Sequence, residues 1–181
     1  MPNLMTAEEL LQLGDDRPGE LIAGEFIPMS PAGGRHGKYA ILIGRIVGDY
    51  VEDHELGEIF GAETGFIISH NPDTVRAPDF AFIAKERLAL ISEFDEFLAI
   101  PPDLAVEIVS PNDRWTRIEE KVQDYLRAGV RLVWVINPKT KTIHVYQSFS
   151  EVAVLTLEDQ LEGGEVLPGF SVAVGSIFSE K

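Results

Sequence analysis

The sequence has no cysteine. That excludes disulfides, thiolate zinc sites and cysteine nucleophiles together. Long apolar runs are missing as well, and none approaches the roughly 18 residues that a membrane span needs. The first residues, MPNLMTAEELLQL, carry no basic region ahead of an apolar core. No signal peptide and no membrane partner are therefore expected, and a cytoplasmic location is. Positive charge is scarce: 15 Lys and Arg face 30 Asp and Glu, a formal net charge of -15. Such a balance opposes unspecific phosphate binding, on which nucleic-acid affinity largely rests, and favours attraction of cations. The glycines of AGGRHGK and GAETG lack the spacing of a P-loop or a dinucleotide fingerprint. Repeats, low-complexity tracts and long linkers are also absent, so the 181 residues read as a single domain, 1–181, with a substantial core.

What is present is an alternation of short strand and helix signals. TAEELLQLG opens a helix that Thr6 and Glu9 close as a capping box and Gly14 stops. GELIAGEFIPMSP reads as a hairpin turning at Ala23-Gly24. Ile43, Ile46, Val47, Tyr50 and Val51 have helical spacing, with His36 just ahead of that helix. Strand-like pieces follow in GEIFGAETGFIIS, APDFAFIA and DLAVEIVSP, then a helix in DRWTRIEEKVQDYLRAG that Gly129 ends. VRLVWVINP is apolar throughout, as a central strand buried on both faces would be. KTIHVYQS, VAVLTLED and VLPGFSVAV predict a closing antiparallel meander. Strand, helix and strand over 104–136 make a βαβ-like crossover, so the expected fold is α/β, a mixed sheet flanked by helices.

One strand contains an anomaly. In LAVEIVSP, Glu107 sits among Leu104, Ala105, Val106, Ile108 and Val109. A lone ionised carboxylate in such a strand costs several kcal/mol unless it is paired, protonated or bound to a metal. Two other elements bear on it. Asp79 follows Pro78 at the mouth of a strand, and Arg114, Arg117, Lys121 and Tyr125 fall on one helical stripe. If the strands pair, Asp79 and Glu107 approach each other and Lys121 lies above them. Two acids alone repel, and a divalent cation relieves the repulsion; carboxylate oxygens, a main-chain carbonyl and waters suit Mg²⁺ or Mn²⁺. In a purely structural role, Glu107 would instead form an ion pair with Lys121 or an arginine. His54, His70 and His144 are scattered without ligand spacing, Trp115 and Trp134 read as packing residues, and Ser110 lies in no nucleophile elbow.

These residues resemble a known family. Pro78-Asp79 followed by Glu107-Ile108-Val109 resembles the PD-(D/E)XK nuclease superfamily, most closely its Uma-two branch. ELIAGEFIPMSP followed by His36, KVQDYLRAGVRLVWVINP and VLPGFSVAV carry the same resemblance, over about residues 6 to 175. It implies a restriction-endonuclease-like αβββαβ core, with the N-terminal hairpin and C-terminal antiparallel strands as additions. It implies Mg (or Mn) as cofactor, held by Asp79 and Glu107 with the carbonyl of Ile108 as a third ligand. Val109 stands where the superfamily has its lysine, and Lys121 on the following helix matches the branch's relocated lysine. Glu20, as a further acidic ligand direct or through water, and His36, as a phosphate contact or proton donor, complete the implied site, with Tyr125 beside Lys121. The implied activity is metal-dependent DNA endonuclease, with a homodimer as a plausible assembly for cutting a duplex. Two alternatives stay open: a non-catalytic binding module retaining the fold, and a hydrolase of small phosphodiesters or nucleotides, which suits the acidic charge better than long duplex DNA.

Overall fold

The computed structural model describes residues 4–14 and 17–179; residues 1–3 of the stretch read for a leader lie outside them. Thr6 caps α1 (Ala7–Gln12) and forms the expected capping box with Glu9. β1 (Gly19–Ile22) and β2 (Glu25–Pro28) make the expected hairpin. Ala23 and Gly24 turn it with φ of 49° and 80°, the left-handed pair that a two-residue turn requires. The next helix, α2 (Gly34–Asp53), begins earlier than the apolar spacing indicates, so His36 lies within its first turn.

The chain continues through β3 (Gly57–Gly61), β4 (Phe66–Ser69), β5 (Thr74–Arg76) and β6 (Phe80–Ala84), then a 3₁₀ helix over Lys85–Leu90. β7 (Leu104–Ile108), α3 (Trp115–Arg127) and β8 (Leu132–Asn137) form the expected crossover, with β7 and β8 parallel. β9 (Thr142–Tyr146) and β10 (Val152–Leu155) extend the sheet, and β11 (Gln160–Glu162), β12 (Ser171–Ala173) and α4 (Val174–Ile177) end the chain. The central sheet has six strands in the order β10-β9-β8-β7-β6-β3, mixed because only β7–β8 is parallel. Along the chain its core reads α2-β3-β6-β7-α3-β8, the αβββαβ order.

Period-two alternation divides the core. Leu104, Val106 and Ile108 of β7 pack with Trp134 and Ile136 against Tyr39, Ile43, Val47 and Val51 of α2. Ala105, with Val133 and Val135, faces Ile118, Val122 and Tyr125 of α3 on the other side. Glu107 belongs by alternation to that second face.

Two sequence expectations need correction. β4, expected with β3 as neighbouring strand-like pieces, belongs to a separate sheet of order β2-β1-β5-β4, whose short strand β5 gave no recognisable signal. The C-terminal segment does not complete a meander, because β12 pairs with β11 in a two-stranded sheet of its own. Gly169 turns the chain with φ 82°, and Leu161, Leu167 and Phe170 fold over the α2 side of the core. Burying those three side chains against the sheet face outweighs pairing along the edge of β10.

Candidate active site

The site forms where the β6–β7 ladder ends. The register pairs Phe80 with Val106 and Phe82 with Leu104. Continued, it sets Pro78 opposite Ile108, and proline has no N–H to give. Asp79 takes over the pairing with its side chain: Oδ2 accepts the Ile108 N–H at 2.7 Å. The Ile108 carbonyl points the same way and receives no N–H from position 78. A proline thus places a carboxylate and a main-chain carbonyl at the open end of two paired strands.

Glu107, next along β7, is 4% exposed. Lys121 donates to both of its oxygens, at 3.2 and 3.0 Å, and the Tyr125 hydroxyl donates to Oε1 at 2.6 Å. Lys121 and Tyr125 are one turn apart on α3, so a single helix face supplies both donors. From the other sheet, Glu20 brings Oε1 within 3.2 Å of the Lys121 ammonium. Glu20 is held in turn by Arg76 at 2.8 Å and by the Ala77 N–H at 3.1 Å. Arg76, 3% exposed, also binds Asp124 on α3. Leu21 pairs with Val75, which sets Glu20 and Arg76 on facing strands. The smaller sheet therefore serves to carry this ion pair against α3.

The electrostatics follow from the burial. Burial pushes the Glu107 carboxyl up to about 7; Lys121 and the Tyr125 hydroxyl oppose the shift, while Asp79 and Glu20 reinforce it. For Lys121 burial acts downward, yet Glu107 and Glu20 outweigh it and hold the ammonium above its usual range. Burial would also raise Glu20, but Lys121, Arg76 and the Ala77 N–H keep its carboxyl below the usual range. Lys121 is therefore a fixed cation, unsuited to take a proton at neutral pH.

His36 reaches the site from the first turn of α2. Its Nε2 lies 2.9 Å from Asp79 Oδ1, and its Nδ1 lies 3.1 Å from Ser110 Oγ. The hydrogen bond to Asp79 raises the imidazole above its ordinary value; burial opposes this, and the charges of Asp79, Glu107 and Asp113 add to it. Asp113 accepts the Ser110 N–H at 2.7 Å and fixes the loop between β7 and α3. Asp79 is thus clamped between an imidazole and a main-chain N–H.

Asp79, Glu107, Lys121, Glu20, Tyr125, His36 and Ile108 consequently occupy one connected network. Arg114 and Arg117 continue the Lys121 stripe into solvent and are exposed. The sequence reading missed Arg76, Asp124 and Ser110. Arg76 had a faint signal, three residues before Asp79 in VRAPD, but nothing local shows that it is buried. Among the described residues, no three His, Cys, Asp or Glu side chains converge as a group able to hold a metal. The donors nevertheless suit a hard divalent ion: Asp79 and Glu107 have oxygen lone pairs left over, and the Ile108 carbonyl lacks a ladder donor. Glu20 spends both oxygens on Arg76, Ala77 and Lys121.

Comparison with known proteins gives a consistent picture. A family model described as Uma2, putative restriction endonuclease, matches residues 7–175. Among solved structures, the chain is similar to one described as a putative nuclease belonging to DUF820 from Anabaena variabilis. The TM-score is 0.81 at 20% sequence identity, over 96% of this chain and 97% of that one, which establishes a shared fold. No match is found among curated proteins.

Proposed function

The chain belongs to the Uma2 family, and from that premise we propose that it is a divalent-metal-dependent phosphodiester hydrolase acting on DNA as an endonuclease. The observation that carries the reading is Glu107, a carboxylate buried in β7, flanked by Lys121 and backed by Asp79 at the end of the adjoining strand. Asp79, Glu107 and the Ile108 carbonyl would hold Mg²⁺ or Mn²⁺. Such an ion, when bound, supplies Lewis-acid stabilisation of phosphoryl oxygens and a more acidic water.

The chain's own groups do the remaining work. Lys121, fixed as a cation by Glu107 and Glu20, sets a positive charge beside the position of the attacking water and offsets charge that builds on the phosphoryl oxygens. His36, engaged through Nε2 with Asp79 and through Nδ1 with Ser110, holds Asp79 in place at the mouth of the site. Tyr125 and Glu20 are positioning residues that aim Glu107 and Lys121. Arg76 anchors Glu20. Val109 has no part in the chemistry, since the cation comes from the helix.

Nicking of supercoiled plasmid with Mn²⁺ tests the reading, with wild type compared against Glu107→Gln and Lys121→Ala. Nicking by wild type and its loss in both variants is the expected result. An inert wild type that also leaves chromogenic phosphodiesters intact would overturn it.

A further inference from the structure

Away from the carboxylate network, a cavity of about 500 Å³ opens between α3 and the β9–β10 hairpin. Its walls include Trp115, Glu119, Gln123, His144, Tyr146 and Phe149. The rings are already arrayed: Trp115 lies 4.7 Å from His144, and His144 lies 6.4 Å from Tyr146 at 21°. Phe149 is 59% exposed at the rim, an aromatic side chain left largely in water. The polar groups are partly committed. Glu119 Oε1 accepts the Trp115 indole N–H at 3.0 Å, leaving Oε2 to accept. Gln123 Oε1 accepts from Arg127 at 3.0 Å, leaving its amide N–H groups to donate.

Register fixes the position of this cavity relative to the site. Glu107 pairs with Val135, and Val135 pairs with His144. The three form one row across β7, β8 and β9, all on the α3 face. Two interstrand steps of about 4.8 Å put the His144 backbone roughly 10 Å from that of Glu107, with the buried Val135 and α3 between them. A strand joining the two would therefore pass around the N-terminal end of α3, where Trp115 lines the cavity.

We propose that this cavity is a nucleobase pocket that takes one unstacked, amino-bearing base (cytosine, adenine or guanine) of the strand being cut. The inference rests on the phosphodiesterase reading above and specifies its substrate as unpaired nucleic acid. Every base has a π-face that Phe149, Tyr146 and Trp115 can stack on. The Glu119 carboxylate accepts an exocyclic amine, as acids do from cytosine N4, and Gln123 donates to a neighbouring ring nitrogen or carbonyl. Thymine fits poorly, because its one N3–H lies between two carbonyl oxygens that repel a carboxylate. A base inside a duplex cannot enter, so the pocket selects unpaired or flipped nucleotides. Recognition through a neutral ring also suits a chain of net charge -15, on which phosphate contacts are disfavoured.

The test is titration of the full chain with phosphate-free deoxycytidine, deoxyadenosine and thymidine, without metal, following the two indole N–H resonances by NMR. Trp134, buried in the core, is the internal control. A saturable shift of Trp115 alone is expected, with thymidine at least roughly fivefold weaker than deoxycytidine. Phe149→Ala and Tyr146→Ala should each weaken binding roughly tenfold, Glu119→Gln should erase the preference over thymidine, and Glu107→Gln should leave binding intact. Absent binding, or binding indifferent to the pocket variants, overturns the proposal whether or not plasmid is nicked. A dimer in sedimentation that Phe149→Ala dissociates also overturns it, by making the cavity an interface between copies. Loss of plasmid nicking with nucleoside binding preserved would instead count against the catalytic reading alone.

Discussion

At the scale of single residues, the site is an exercise in keeping buried charges accompanied. Glu107, Lys121, Glu20 and Arg76 each have a partner of opposite sign within hydrogen-bonding distance, which is the condition for ions in a low-dielectric interior. Removing one partner strands another. Arg76→Met should cost about 3 kcal/mol in urea unfolding, because Glu20 and Asp124 both lose its guanidinium, Glu20 keeping only Lys121 and Asp124 only the more distant Arg127. Lys121→Ala should lower the phosphodiesterase rate by about 10²-fold or more, with Lys121→Arg restoring part of it and Mn²⁺ binding by calorimetry retained in both. Glu107→Gln should abolish both activity and Mn²⁺ binding. A Glu107→Gln protein that binds Mn²⁺ like wild type would remove this residue from the metal site. Of these residues, Glu107 was legible in the sequence because an acid in an apolar strand violates a local rule. Arg76 was not, because nothing near it in the chain shows that three residues ahead of Asp79 it would be enclosed by another sheet and by α3.

At the scale of elements, packing and side-chain caps decide which pieces hold. α1 is six residues long, too short to persist alone, and is tied to the loop before β5 by Asp73, whose Oδ2 accepts the Ala7 N–H at 2.8 Å. That hydrogen bond draws the Asp73 carboxyl below its ordinary 3.8; slight burial opposes it and His70 assists. A depressed folded value means that the stabilisation is complete above 3.8 and is lost as pH falls through the lower folded value. Asp73→Asn should therefore cost about 1 kcal/mol at neutral pH, and its stability should fall less than that of wild type on acidification, as denaturant titrations at several pH values would show. The capping box and the Ala23-Gly24 turn were readable because both are local chemistry. The placement of β4, β5 and β12 was not, since strands of three or four residues take their partners from whichever surface remains to be covered.

At the scale of the whole molecule, the charge of -15 limits how DNA would be held on the proposed nuclease reading. Arg114 and Arg117 prolong the Lys121 stripe outwards and are exposed, so on that reading they are candidate contacts for phosphates flanking the cut. The slope of log K against log salt for an oligonucleotide should be shallow, and replacing both arginines with alanine should reduce it by roughly 1.4 to 1.8. An unchanged slope would place the phosphate contacts elsewhere. The sequence by itself determined the α/β class and the β7-α3-β8 crossover, and it singled out Asp79, Glu107 and Lys121, which the fold brings together, because periodicity, capping and a misplaced carboxylate are written in neighbouring residues. Only the tertiary structure decided that a second sheet delivers Glu20 and Arg76 to Lys121, that the C-terminal segment leaves the main sheet to cover the α2 face, and that rings from α3 and β9 border one cavity. Those outcomes depend on which surfaces compete for burial once the chain has collapsed, and residues far apart in sequence settle that competition together.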